Sequence, residues 1–273
     1  MTIKACIKHY AKELKDVTHI PNKEVEILIL HLLQQNVIWL HLNSHEEFNQ
    51  ENELAKLVKK RATHFPLEYL IEKASFYGEN FIVKQNVLIP RPETELLVEN
   101  AFNILKEIQN PKLVEVGVGS GIISVMLAKL LPTINIVAVD INEDALALAE
   151  QNAINHDVKD RIKFIKSDLL SKVQGEFDMC ISNPPYIADD YKLPTNVKFE
   201  PSNALFGGSI GDELLKELII QVDQRKIPYL LCEMGYDQKK PLEEYLKAFS
   251  CESVDFYQDY EKFDRGFTIK FKI

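Results

Sequence analysis

The chain has 273 residues, a formal net charge of −9 and a hydrophobic fraction of 46%, which indicate a globular protein of one large or two smaller domains. No stretch reaches the roughly 18 apolar residues of a membrane span, and the polar N-terminus lacks the apolar centre of a signal peptide. Four cysteines lie far apart, without a C-x-x-C pair. This spacing excludes a disulfide framework and a cysteine zinc site, so we expect a reduced, cytoplasmic protein.

The acidic excess lies entirely after residue 75, because the first 75 residues hold equal numbers of basic and acidic side chains. A protein that binds duplex DNA usually presents a basic face. The charge balance therefore weighs against a nucleic acid partner. It is compatible with a basic protein partner.

The first 75 residues predict a small helical bundle. Helical apolar spacing runs over residues 22–33, directly after Pro21, and again over residues 46–62. Residues 76–90 then alternate between apolar and polar side chains around Gly78-Glu79-Asn80, a turn sequence. We therefore predict a helical domain over 1–75 and a hairpin linker over 76–90.

Strand and helix patterns alternate from residue 91 to residue 273, which we predict to be a second domain. The predicted strands cover residues 112–118, 135–141, 162–166, 177–182 and 228–233, and the predicted helices cover 121–131, 142–155 and 212–224. This alternation predicts an α/β fold with a mostly parallel sheet, covered by helices on both faces. Residues 253–273 alternate as two strands joined around Asp264-Arg265-Gly266, which suits an antiparallel pair at the sheet edge.

A glycine-rich loop follows the first strand of this second domain. Gly117, Gly119 and Gly121 have the spacing G-x-G-x-G, whereas a dinucleotide fingerprint is G-x-G-x-x-G, and no P-loop lysine follows. Glycine allows the backbone to approach a ligand closely, and ligands bind at the carboxyl ends of the strands in open α/β sheets. The loop, with Val118 and Ser120, is therefore predicted to bind a cofactor, although a tight strand–helix turn would also use glycine.

Three acidic residues close successive strands near this loop. If the loop is a glycine-loop site of the kind that binds S-adenosylmethionine, Glu115 would help to organise the loop and the cationic amino-acid portion of that cofactor. Asp140, roughly 20 residues after the loop, would accept both ribose hydroxyls, with Asn142 the better helix cap. Asp168 would accept from an adenine amino group or is a loop aspartate. Ile141 and Leu169, their neighbours in the chain, are assigned to the same cofactor site.

The sequence Asn183-Pro184-Pro185-Tyr186 ends the fourth predicted strand, at the same sheet edge. Proline cannot extend a sheet ladder, so the strand stops abruptly. A planar NH2 group could donate to the Asn183 side-chain oxygen and to the Pro184 carbonyl, with Tyr186 packed on its face. These four residues are therefore predicted to hold a substrate amide or aromatic amine for methyl transfer.

Arg91 lies between Pro90 and Pro92, on an extended segment. It is predicted either to line the substrate cleft or to pair with a carboxylate. Glu93 and Glu95 are better explained as the start of the next helix, where the helix dipole favours acidic side chains.

These residues resemble the peptide chain release factor glutamine N5-methyltransferase family (PrmC/HemK) over nearly the whole chain. The motif Asn183–Tyr186 alone is shared with DNA adenine and RNA methyltransferases, so the selective part is its combination with Ile89-Pro-Arg-Pro-Glu-Thr-Glu95. Further matching stretches are Lys23–Leu28, Arg61, Pro66–Leu70, Phe76–Gly78, Phe199–Pro201, Ala204–Gly208, Gly211 and Glu233–Gly235. Two stretches depart from the family: the glycine loop has Glu115 and Val118 where aspartate and threonine are common, and residues 261–267 differ from the usual Gly-Arg-Asp-Arg-Val.

The resemblance implies a Rossmann-like class I S-adenosylmethionine-dependent methyltransferase fold with a small helical domain that helps to dock the substrate. It implies that the cofactor is S-adenosyl-L-methionine and that the acceptor is the glutamine of the Gly-Gly-Gln motif in class 1 release factors. It also implies a monomer without a metal, which does not bind nucleic acid directly or enter a membrane. The alternative is a DNA or RNA adenine N6-methyltransferase, which would need a basic groove and base flipping.

Overall fold

The computed structural model describes residues 1–273 and divides them into two compact units. The first comprises Met1–Lys73 and Leu193–Phe199, and the second comprises Ala74–Lys192 and Glu200–Ile273. The sequence patterns suggested a boundary at residue 75 and gave no sign that residues 193–199 belong with the helical unit. In that unit the Phe199 ring packs on Phe65, with 5.3 Å between ring centroids.

Ten α-helices occur along the chain. They are α1 (Ile3–Tyr10), α2 (Pro21–Leu33), α3 (Val37–Asn43), α4 (Glu51–Arg61), α5 (Leu67–Ile71), α6 (Thr94–Leu105), α7 (Ile122–Leu130), α8 (Glu143–Asn155), α9 (Glu213–Gln224) and α10 (Lys239–Leu246). The first five form the helical unit. No single helix is long and apolar enough to cross a membrane, although α2 and α3 together, bent by 97°, reach the required length and composition.

A buried ion pair connects two helices of the first unit. Arg61, at the end of α4, donates from Nε and Nη2 to the two carboxylate oxygens of Glu24 on α2, at 2.6 and 3.0 Å. Both residues are less than a tenth exposed, so each charge depends on the other for its compensation. The pair thereby fixes the register of α4 against α2.

Eleven strands form three sheets. They are β1 (Lys73–Phe76), β2 (Glu79–Ile82), β3 (Lys112–Val116), β4 (Asn135–Asp140), β5 (Ile162–Lys166), β6 (Met179–Ser182), β7 (Ile187–Ala188), β8 (Phe206–Gly208), β9 (Tyr229–Glu233), β10 (Cys251–Gln258) and β11 (Asp264–Phe271). The main sheet has the order β10-β11-β9-β6-β3-β4-β5. Five of its strands are parallel, and β11 and β10 continue it antiparallel at one edge. The predicted α/β sheet with an antiparallel edge is confirmed.

Each face of the main sheet is covered by its own set of helices. Alternate residues of β3 enter two separate cores, with Leu113 in the core shared with α6, α7 and α8 and Val114 in the core shared with α9 and α10. This two-sided burial explains why the parallel strands are almost continuously apolar in sequence. The polar residues that interrupt these strands, Glu115 and Glu233, therefore require a specific explanation.

The predicted central strands and helices agree with the structure to within two residues, but three details were wrong. The helix predicted over 46–62 begins only at Glu51. The β1–β2 hairpin turns at Tyr77 and Gly78, both at positive φ, and Glu79 and Asn80 already lie in β2. The third wrong detail is the turn between the two C-terminal strands. It covers residues 259–263, whereas the turn was predicted at Asp264-Arg265-Gly266.

The C-terminal turn is organised by Asp259. Its Oδ1 accepts hydrogen bonds from the backbone N–H groups of Glu261 and Phe263, at 2.9 and 3.0 Å. Gly266 lies inside β11, where a Cβ would come within 2.3 Å of the Tyr257 hydroxyl. This glycine therefore allows close packing between strands, and its prediction as a turn residue was wrong.

Candidate active site

The topology brings the predicted site residues to one edge of the sheet. β6, β3, β4 and β5 are parallel neighbours in that order, so their carboxyl ends lie side by side. A cavity of about 330 Å³ lies at this edge, and a smaller recess of about 40 Å³ shares Gly117, Gly119 and Asn183 with it. Asp140, Ile141, Asp168 and Leu169 line the cavity as well. This is the crevice in which open α/β sheets bind ligands.

The five residues of the glycine loop divide between ligand-facing and structural positions. Gly117 and Gly119 line the cavity, and a Cβ on Gly119 would have nothing within 4 Å, so the loop leaves open space there. Val118 and Ser120 are buried and border only the smaller recess. Gly121 borders neither space, since a Cβ there would lie 2.9 Å from Ala149 on α8. The third glycine is therefore explained by helix packing.

Glu115 is a buried carboxyl beneath the loop. Its Oε2 accepts hydrogen bonds from the backbone N–H of Ser124, at 3.0 Å, and from the Ser124 hydroxyl. Its Oε1 has no partner, and the residue is fully buried. Burial raises the pKa of Glu115 to about 8. An unpartnered buried oxygen at the border of the recess is suited to a cationic N–H donor.

We expect Glu115→Gln to stabilise the free protein at alkaline pH. The folded-state pKa of Glu115 lies above its unfolded value of 4.5, so the wild type loses stability as the pH rises from about 4.5 towards 8. Glutamine keeps the shape and the bond from Ser124 but cannot ionise. Thermal unfolding should therefore give similar midpoints at pH 5 and a higher midpoint for the variant at pH 8.5. A variant that is less stable than the wild type at pH 8.5 would contradict this account.

Asp140 ends β4 and supports the glycine loop directly. Its Oδ2 accepts from the backbone N–H of Gly119 at 3.0 Å, and its Oδ1 accepts from that of Asn142 at 2.9 Å. Burial raises its pKa, and these backbone bonds counteract that effect. The cap of α8 is made by the Asn142 side chain, which accepts from Asp144 N–H at 2.9 Å, as predicted. Asp140 is therefore not required as a cap and faces the cavity.

Asn183 lies where the cavity and the smaller recess meet. Its Nδ2 donates to the Thr94 hydroxyl at 3.2 Å, and its Oδ1 has no hydrogen-bond partner within the chain. Pro184 and Pro185 line the cavity beside it. The turn is supported from behind by Gly207, where a Cβ would come within 2.4 Å of the Pro185 carbonyl. An amide oxygen held in a stiff turn is thus available to a ligand.

Tyr186, the last residue of the predicted substrate turn, does not line the cavity. It borders neither the cavity nor the recess. Burial raises the pKa of its hydroxyl to about 12, and its backbone carbonyl accepts from Gln238 Nε2 at 3.0 Å. Arg265 donates from Nε and Nη2 to Asp259 Oδ2 at 3.1 and 2.7 Å. Gln238 therefore holds the end of the Asn183–Tyr186 turn, and Arg265 of the divergent stretch is held by Asp259.

Arg91 pairs with a carboxylate, which is one of the two roles predicted for it. It borders the smaller recess, and its Nη2 pairs with Oε1 of Glu200 at 2.5 Å. The other oxygen of Glu200 accepts from the backbone N–H of Ile89 at 3.0 Å. Glu200, a buried residue of the Phe-Glu-Pro stretch, thereby fixes the segment that covers the recess.

Sequence reasoning missed two buried polar residues behind Asn183. Thr94 begins α6 and is 1% exposed, and Glu233 ends β9 and is also 1% exposed. Burial raises the pKa of the Glu233 carboxyl to about 7, and its Oε1 has no hydrogen-bond partner. The available signal was Glu233 itself, a carboxylate that closes an apolar strand at the carboxyl edge of the sheet.

The arrangement of groups at the cavity supports a reaction at a nitrogen atom of a substrate. The site presents carboxylates and amide or carbonyl oxygens, all hydrogen-bond acceptors, with no cysteine, histidine or lysine lining the cavity. Such a site can bind hydroxyl and amino groups and orient an NH2 group. A wider groove of about 590 Å³ lies at the opposite, amino ends of β3, β4 and β5, remote from these acceptors.

Two family models match successive parts of the chain. Residues 5–71 match the family model described as PrmC N-terminal domain, and residues 92–198 match the methyltransferase small domain. The catalytic domain of human METTL16, in complex with hairpin 6 of the MAT2A 3′UTR, has a TM-score of 0.58 at 17% identity, covering 85% of this chain and 86% of that one. That similarity confirms the methyltransferase fold.

Two release factor glutamine methyltransferases match this chain over nearly the full length of both proteins. The release factor glutamine methyltransferase of Buchnera aphidicola subsp. Baizongia pistaciae is 32% identical, covering 97% of this chain and 98% of the relative. The protein of the same name from Chlorobaculum tepidum is 35% identical, covering 97% and 94%. The chain belongs to the family of release factor glutamine methyltransferases.

Proposed function

We propose that this protein transfers a methyl group from S-adenosylmethionine to the side-chain amide nitrogen (N5) of the glutamine in the Gly-Gly-Gln motif of class 1 peptide chain release factors. Family membership supports the reaction and the substrate class. The observation that carries the site assignment is the Asn183 amide, whose Nδ2 is engaged by Thr94 while Oδ1 remains free at the cavity. An NH2 group is the donor that such an oxygen matches.

The residues at the cavity fit this cofactor. The unpartnered Oε1 of Glu115 is suited to the ammonium end, and the open space at Gly119 admits a ligand against the backbone. Asp140 would accept from ribose hydroxyls, and Asp168, beside Leu169 at the cavity wall, would accept from an adenine amino group. When bound, S-adenosylmethionine supplies an electrophilic methyl group on a sulfonium.

The chain contributes positioning and charge stabilisation to the transfer. Asn183 Oδ1 and the Pro184 carbonyl oxygen each accept a hydrogen bond from one N–H of the acceptor amide. These two bonds direct the nitrogen lone pair towards the methyl group. As the new N–C bond forms, the methyl–sulfur bond would break and leave its electron pair on a neutral thioether. Positive charge would develop on the nitrogen, and these two oxygens would stabilise it. Holding the reacting atoms at near-attack distance supplies much of the rate, and the surplus proton leaves the nitrogen after attack.

The wider biological setting belongs to the same proposal. The helical unit would help to dock the release factor, which suits the partition of charge between the two parts of the chain. The enzyme would act in the cytoplasm as a monomer, on a protein substrate. Its second part, which carries the whole net charge of −9, complements a basic partner surface.

The direct test is methyl transfer with four acceptors in parallel. Purified protein and radiolabelled S-adenosylmethionine are incubated with unmodified release factor, with the same factor carrying alanine for the Gly-Gly-Gln glutamine, with RNA and with DNA. We expect label only on the unmodified factor. Label on RNA or DNA at a comparable rate would replace the proposed substrate by a nucleobase, and label on the alanine-substituted factor would move the acceptor to another residue.

A further inference from the structure

A short stretch of chain, residues 86–91, runs along the whole ligand site, and we call it the strap. Its first residues line the cavity and its last residues line the smaller recess, with Leu88 bordering both spaces. A ligand that occupies both spaces would therefore contact the strap over most of its length. The strap lies between β2 and α6, outside any helix or strand, so side chains of other elements must hold it in place.

The first end of the strap is held at the start of α8. Asn142 donates from Nδ2 to the backbone carbonyl oxygen of Asn86 at 2.8 Å, and Asn86 Nδ2 donates to Asp144 Oδ2 at 3.4 Å. Both contacts are exposed, and in both the donor is an uncharged amide. Because water competes for the same groups, such bonds contribute little net free energy, and this end is the weaker attachment.

The other end of the strap is held by Glu200. Its Oε2 accepts from the backbone N–H of Ile89 at 3.0 Å, and its Oε1 accepts from Arg91 Nη2 at 2.5 Å. The Glu200 side chain is only 2% exposed, so both oxygens of an enclosed carboxylate are bonded to the strap. Hydrogen bonds to a charged group that is shielded from water are the stronger kind, which makes this end the firm attachment.

Two prolines make this end of the strap stiff. Pro90 lies between Ile89 and Arg91, the two residues that Glu200 holds, and Pro92 follows them. The ring of each proline fixes its own φ and restricts the backbone of the residue before it. Ile89 and Arg91 therefore cannot change conformation independently, and the two bonds from Glu200 fix this wall of the recess as one unit.

We propose that Glu200 is a positioning residue for the cofactor, which fixes the strap along the recess and thereby retains the amino-acid end of bound S-adenosylmethionine. The inference rests on the proposed function for the identity of the ligand. Glu200 lines neither the cavity nor the recess, so it acts only through the strap residues that it holds. Loosening the strap should speed the departure of the cofactor and leave the acceptor groups at Asn183 in place.

The first test is Glu200→Gln, which removes one of the two bonds at the firm end. Glutamine has the same size, but it has one oxygen, so its NH2 group must face either the Ile89 N–H or the Arg91 guanidinium. We expect the Kd for S-adenosylmethionine to rise about 10-fold through faster dissociation, while kcat at saturating cofactor stays within about twofold of the wild type. Calorimetry measures the Kd, and stopped-flow displacement measures the dissociation rate. An unchanged Kd would overturn the inference.

The matched control is Glu252→Gln, which makes the same charge change and breaks an exposed ion pair with Lys270. It should behave as wild type. Arg91→Met tests the route through the strap, because a glutamine at position 200 can then give its oxygen to the Ile89 N–H without facing a guanidinium. Adding Glu200→Gln to Arg91→Met should therefore raise the Kd by no more than about twofold. A double variant in which the two effects multiply in full would show that Glu200 acts by another route.

Amide hydrogen exchange of the wild type, followed by ¹⁵N NMR, needs no variant. Saturating S-adenosylmethionine should slow the exchange of the backbone amides of Leu88, Ile89 and Arg91. In Glu200→Gln the Ile89 amide of the free protein should exchange faster than in the wild type, while amides of the central strands stay unchanged. Strap amides that do not respond to the cofactor would overturn the inference. A wild type that binds the cofactor but leaves the release factor unlabelled would overturn only the proposed function.

Discussion

Replacing Asn183 by alanine is expected to lower kcat/KM for release factor methylation by about 10²- to 10³-fold while the protein stays folded. The change removes a side-chain oxygen that lies at the junction of the cavity and the recess, has no partner in the chain and is proposed to accept from the substrate amide. It leaves Asp140 and the loop at Gly119 in place. The measurement is initial rate against release factor concentration, with the Kd for S-adenosylmethionine determined separately by calorimetry.

The matched control for Asn183→Ala is Asn103→Ala, which removes an exposed amide from the outer face of α6. It should behave as wild type in both measurements. If Asn183→Ala binds the cofactor normally and also methylates at the wild-type rate, Asn183 is not the acceptor-binding residue. If it fails to unfold cooperatively, the turn serves the fold first and the site assignment loses its support.

Replacing Asp140 by alanine is expected to weaken S-adenosylmethionine binding by about 100-fold, with a smaller effect on kcat at saturating cofactor. The carboxylate has two tasks, because it accepts from the Gly119 backbone at 3.0 Å and it faces the cavity where the ribose hydroxyls would lie. Losing it removes acceptors for the ligand and releases the loop that lines the cavity. Calorimetric titration of the free enzyme with the cofactor measures the effect.

The pH dependence of cofactor binding supplies an independent check on Asp140. Burial raises its pKa, so the protonated fraction grows as the pH falls, and a protonated carboxyl is a poorer acceptor. Wild-type affinity should therefore decline towards mildly acidic pH, and Asp140→Ala should lose that part of the decline. Asp160→Ala, the same charge change at an exposed position near the amino ends of the strands, serves as the control. An unchanged Kd for Asp140→Ala would remove this residue from the site.

The parts of the site that could be predicted are those whose residues lie close together in the chain and form a recognisable pattern. A strand, a glycine loop and a helix occur within about 20 residues, so their order alone indicates that Asp140 stands beside Gly119 at one sheet edge. The observed hydrogen bond between them follows from that order. The turn at Asn183 was predictable for a similar reason, because two prolines end a buried strand wherever they occur.

The parts that could not be predicted depend on contacts between distant segments. Thr94 and Asn183 are 89 positions apart, and a threonine between two glutamates at a helix start looks like any other helix start in sequence. The prediction for Gly266 was wrong for the same reason. In the sequence alone, a glycine that a neighbouring strand requires cannot be distinguished from a glycine that a turn requires. The distinction depends on the Tyr257 hydroxyl across the sheet.

The close approach of Gly207 to the turn at Pro185 has a consequence for how the site can vary. A Cβ at position 207 would lie 2.4 Å from the Pro185 carbonyl oxygen and 2.5 Å from that of Gly211, and both are backbone atoms. A side chain there could be accommodated only if the backbone of the turn moved. The position of the Asn183–Tyr186 turn is thus constrained by a residue of β8 that does not itself line the cavity.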